Sequence, residues 1–159
     1  MGCDIHLYKE MFVNGQWTYL EQLDGIRNYD VFSILIGVRN YYRATPMVDS
    51  NRGLPIDITP RLKETMEYID YHNFGYLTKS DVDQYPFWDT SFIDTREPKQ
   101  GPKGQGGMDS FQERYHKTKL NPADYETRTP RQTLDESPEW KQIIMGLEAN
   151  YRLVFAFDN

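Results

Sequence analysis

The chain has 159 residues, enough for one domain with its own core, and its 24 acidic against 18 basic residues give a net charge of −6. That acidity argues against nonspecific nucleic-acid binding, which needs a basic patch, and no run approaches the roughly 18 apolar residues of a membrane span. A lone cysteine, the absence of a signal-peptide pattern, and His6 where a myristoylation start needs Ser or Thr predict a cytoplasmic protein with no membrane partner.

Taken in chain order, a β-prone run from Cys3 to Val13 meets Asn14-Gly15 and then Gln16–Leu20. Asn-Gly suits a two-residue turn in which both residues take positive φ, so the spacing predicts a β-hairpin. Val31, Phe32, Leu35, Ile36 and Arg39 then carry helical spacing, predicting a helix over 29–41 with Asn28 or Asp30 as cap. Pro46, Gly53 and Pro55 break residues 42–58 into irregular structure. Thr59-Pro60 opens a second helix reaching Tyr71, Thr78 caps a short third over 79–85, and Ser137-Pro138 opens another to about Glu148. Tyr151–Phe157 is an apolar strand, expected to be buried on both faces in the middle of a sheet.

Residues 86–136 give the weakest pattern. Five glycines and prolines among the nine residues 99–107 suggest a flexible loop inserted in the domain. The resulting expectation is one α+β domain over 1–159. It has a mostly antiparallel sheet, built from the N-terminal hairpin and the C-terminal strand, with three to four helices packed on one face.

Alternation along the first strand stands Asp4 and His6 on one side, with Cys3, Ile5 and Leu7 on the other. Free cysteines are usually buried, so Cys3 reads as core and not as a nucleophile. Arg27-Asn28 precede a helix start, where free amides and the helix dipole favour an anion; Arg39 and Arg43 lie at its far end. The glycine stretch 101–107 lacks the Gly-Lys-Ser/Thr of a phosphate-binding loop, and His116-Lys117-Thr118 occurs once where two-histidine phosphoesterases use that form twice. Ser33 lacks a nucleophile elbow. The acidic residues of 90–97 and 124–136 are spread as on a solvated surface.

Met1-Gly2-Cys3-Asp4-Ile5-His6, Arg27-Asn28-Tyr29, Val38-Arg39-Asn40, Gly53-Leu54-Pro55, His72 with Tyr76-Leu77-Thr78, and Phe155-Ala156-Phe157-Asp158-Asn159 together resemble a family of small proteins common in bacteriophage and prophage genomes. The family carries no established activity, so the resemblance implies a phage setting and, by association, host takeover or evasion of host defence.

Three readings remain open. Asp4, His6, Arg27, Asn28, Arg39 and His72, lined by tyrosines, would form a pocket for an anionic or nucleotide-like small ligand. Alternatively Asp4, His6 and His72 would hold a divalent metal, or act as catalytic acid and base, in a phosphoester hydrolase. The third reading is an inhibitor that meets a host protein through an acidic, aromatic surface without a pocket. The first is preferred because the catalytic set is sparse.

Overall fold

The computed structural model describes residues 2–100 and 121–159, which fall into two compact units. In chain order they form strands β1 (Asp4–Val13) and β2 (Gln16–Leu23), helices α1 (Tyr29–Ile36) and α2 (Pro60–Met66), strand β3 (His72–Thr78), helix α3 (Lys79–Gln84), strand β4 (Phe92–Pro98), a 3-10 turn (Pro122–Asp124), strand β5 (Tyr125–Arg128), helices α4 (Pro130–Asp135) and α5 (Pro138–Met145), and strand β6 (Tyr151–Asp158). The fold is α+β with antiparallel sheets, as the patterning predicts.

The first unit comprises the chain up to Asn28, Met47–Pro86 and Ser137–Asn159. Its sheet has the order β2-β1-β6-β3. The β1–β2 hairpin turns at Asn14 and Gly15 with φ of 51° and 79°, the left-handed pair that the two-residue turn demands. β6 is interior to the sheet, and six consecutive residues, Arg152 to Phe157, are buried, matching its unbroken apolar run. Tyr8, Val154 and Ala156 share one sheet face and pack against Leu62 and Met66 of α2. On that same face the buried Glu10 accepts from Arg152 Nε at 2.7 Å and from the Thr59 amide at 2.9 Å. Arg152 also reaches Asp57 at 2.6 Å and lies over the Trp17 ring.

The second unit comprises Tyr29–Pro46 and the described part of Phe87–Glu136. Here β4 pairs with β5, and Val31 to Ile36 of α1 are all buried. Arg96 forks onto Asp94 and reaches Asp30, while Arg128 pairs with Glu136. The range 86–136, read from sequence as a loop insertion, therefore holds two strands and a helix among its described residues. Their polar composition and irregular pairing hide the alternation on which strand prediction relies. The glycine stretch 101–107 and His116-Lys117-Thr118 lie outside the described residues.

Helix ends differ from the sequence expectation. α1 stops at Ile36 because Gly37 takes φ of 81° and its amide bonds back to Ser33 O, a glycine-terminated helix end. Ser33 Oγ is bound to the Tyr29 and Arg39 carbonyls, a structural role. α2 ends at Met66, so Tyr71 is not helical. α3 begins with the reciprocal Thr78–Asp81 capping box.

Candidate functional site

Along β1 the alternation holds where it matters: Cys3, Ile5 and Leu7 are buried, while Asp4 is exposed and His6 half-buried on the other face. Cys3 is core. The register sets Asp4 opposite Asp158 and His6 opposite Ala156, which makes Asp158 a diagonal neighbour of His6. His6 Nε2 lies 2.9 Å from the Asp158 carboxylate. With Nε2–H donating to that carboxylate, Nδ1 of the neutral ring carries the lone pair, and nothing among the described residues bonds it.

An aromatic wall supports the imidazole. His6 stacks on Tyr71 with centroids 4.4 Å apart, and Tyr68 meets Tyr71 edge-on at 5.2 Å. Burial, aided by the neighbouring Tyr71, pushes the Tyr8 phenol up to about 12, so it stays protonated.

Beside this group Arg27 forks onto Asp4, with Nε to Oδ1 at 2.8 Å and Nη2 to Oδ2 at 2.7 Å. Hydrogen bonding from Arg27 holds the Asp4 carboxyl below the usual carboxylate value, and the charges of Arg27 and His6 add to the effect. Gly2 belongs to the same arrangement: a Cβ there would come within 2.3 Å of Arg27 Nη1. Asp4, His6, Arg27 and Asp158 thus gather at one end of the sheet.

The remaining predicted residues make contacts of their own. Asn28 donates to Ser137 Oγ at 2.8 Å, at the start of α5. Arg39 belongs to the second unit, where it has φ of 53° beyond the end of α1 and lies over the Tyr29 ring. His72 misses the site by one residue of register. The regular pairing of Gly75 with Phe155 through Thr78 with Arg152 would carry His72 opposite Asp158, but a bulge at Asn73, with φ of 49°, sets His72 opposite Phe157. One inserted residue moves a side chain to the other face, so His6 and His72 look out from opposite sides of the sheet. His72 Nδ1 meets the Asn73 side chain, and its Nε2 is buried without a hydrogen-bond partner among the described residues. Accordingly, no three His, Cys, Asp or Glu side chains among the described residues converge as metal ligands, and the expected Asp4/His6/His72 set is not assembled.

Sequence reasoning missed two members of the site. Asp158 was visible as part of the closing motif, and an antiparallel pairing of the first and last strands would have brought it to His6. Tyr71 falls within the helix that the spacing predicts, which conceals it. The chain gives no significant match to protein-family models, curated proteins or solved structures.

Proposed function

We propose that the protein binds an anionic, nucleotide-like small ligand at the Asp4–His6–Arg27–Asp158 end of the sheet, as a phage-type accessory protein acting against host defence. The observation that carries this reading is the oriented imidazole. Asp158 fixes His6 through Nε2 and Tyr71 supports its ring, leaving Nδ1 open. Nδ1 accepts from a sugar hydroxyl when the ring is neutral and donates to a phosphate oxygen when it is protonated. Arg27, half exposed, supplies a planar cation suited to phosphate, and the exposed Tyr68 ring offers a stacking surface for a base. Asp4 competes with the ligand for the Arg27 fork.

That competition gives a sharp test. In titration calorimetry against mononucleotides, cyclic mononucleotides and inorganic phosphate, Arg27→Ala and His6→Ala are expected to abolish binding while leaving circular dichroism unchanged. Asp4→Asn is expected to tighten binding, because it removes the carboxylate that the phosphate must displace. Absence of binding across the panel, or binding indifferent to all three substitutions, rejects the site.

A further inference from the structure

A pocket of about 490 Å³ lies elsewhere in the first unit, lined by Met47, Val48, Asp49, Asn51, Arg52 and Asp81, a volume within the range of small-ligand sites. We infer that it takes a zwitterion, an α-amino acid with an aliphatic side chain, whose carboxylate meets Arg52 and whose ammonium meets Asp49.

Arg52 is held rigidly. Its guanidinium lies over the Tyr76 ring, 4.0 Å from the centroid, and Nη1 donates to Asp81 Oδ2 at 2.7 Å and to the Tyr76 carbonyl at 3.2 Å. Asp81 is committed elsewhere as well, because the same oxygen accepts from the amide and the hydroxyl of Thr78, each at 2.8 Å. No described residue accepts from Arg52 Nε or Nη2, so one edge of a pre-oriented fork is open to a carboxylate.

Asp49 provides the opposite charge. Its Oδ1 accepts from the Asn51 amide at 2.7 Å, and its carbonyl accepts from the Arg52 amide at 3.0 Å. Asp49 and Arg52 are therefore the first and fourth residues of one tight turn, close at their backbones. No ion pair joins their side chains among the described residues, although turn geometry brings them near each other. Two opposite charges at the ends of one turn, both lining one pocket, complement a ligand that carries both charges on groups attached to one carbon. A plain anion would face the unneutralised Asp49, and a plain cation would face Arg52. Met47 and the buried Val48 form the apolar part of the lining, which suits a hydrocarbon side chain.

The test is calorimetric titration of the intact protein with L-leucine, L-leucinamide (no carboxylate), 4-methylpentanoate (no ammonium) and N-trimethyl-leucine (charge kept, N–H donors lost). L-leucine is expected to bind at least about tenfold more tightly than any of the three analogues, the size of a lost charged hydrogen bond. Asp49→Asn, which touches none of the Arg52 contacts, should weaken leucine about tenfold and erase its advantage over 4-methylpentanoate. Arg52→Gln should erase the advantage over leucinamide, with circular dichroism confirming that the Tyr76 and Thr78 region still folds. Three results would each overturn the inference: no binding of leucine, equal binding of leucine and 4-methylpentanoate, or an Asp49→Asn protein that binds leucine as before. N-trimethyl-leucine binding as well as leucine would overturn the amino-acid assignment in favour of a quaternary ammonium ligand. None of these residues belongs to the Asp4–His6–Arg27 group, so failure at either site leaves the other standing.

Discussion

Two arginines meet acids on the same face of β1, one at each end of the strand, and their settings could hardly differ more. Arg152 and its partner Glu10 have side chains 4% and 0% exposed, whereas Arg27 and Asp4 are 50% and 53% exposed. Around Arg152 every charge is answered: Glu10 also takes the Thr59 amide, Asp57 closes the other side of the guanidinium, and Trp17 covers it. Around Arg27 the fork meets the Asp4 carboxylate in the open, next to an imidazole whose Nδ1 bonds to none of the described residues. Identical chemistry is thus sealed into the interior around Arg152 and left open to solvent around Arg27.

The largest expected effect comes from breaking the buried member. Arg152→Ala strands Glu10 in the interior and should cost about 3–5 kcal/mol in urea unfolding, close to the whole stability of a small domain. A cost below about 1 kcal/mol would show that the cluster is not the anchor described. Replacing both partners together, Glu10→Leu with Arg152→Met, should recover most of that loss, because it is the orphaned charge and not the missing bond that destabilises. Next comes the capping box: Thr78→Ala should cost about 1 kcal/mol by releasing the Asp81 amide at the start of α3.

Acid provides a comparison between the two arginine settings. Asp57 is held below its usual 3.8 mainly by hydrogen bonding from Arg152, and Asp4 by hydrogen bonding from Arg27. A carboxyl lowered in the folded state adds stability that is complete above 3.8 and is lost as the pH falls through the folded value. Unfolding free energy should therefore drop as the pH falls below about 4, and Asp57→Asn should flatten that slope, most at low salt because its carboxylate is 60% exposed. Asp4→Asn should flatten it in the same way, again most at low salt, its carboxylate being 53% exposed. The smallest effect is expected from Arg27→Ala, at most roughly 0.2–1 kcal/mol in stability, together with complete loss of nucleotide binding in the titrations described.

What could be read from the sequence was whatever depends on local rules. Asn14-Gly15 dictates its own turn, alternation puts Asp4 and His6 on one face, and the run from Leu153 to Phe157 marks an interior strand. The missing pieces depend on register between distant segments. Asp158 reaches His6 only because β1 and β6 pair as they do, across 152 residues of sequence. His72 was grouped with Asp4 and His6, but a single left-handed asparagine turned it away, and no periodicity announces a bulge. The Arg52 pocket was invisible for a similar reason: residues 42–58 read only as irregular, and the rigidity of Arg52 comes from Tyr76 and Asp81.

The interior position of β6 also governs the order of assembly. The hairpin can zip by itself as it is synthesised, but its apolar side stays wet until a segment made much later slots between it and β3. Such non-local closure slows folding and leaves adhesive edges exposed in the interval. The nascent chain must therefore avoid aggregation until β6 has been made, and the His6–Asp158 pair can form only when that closure succeeds.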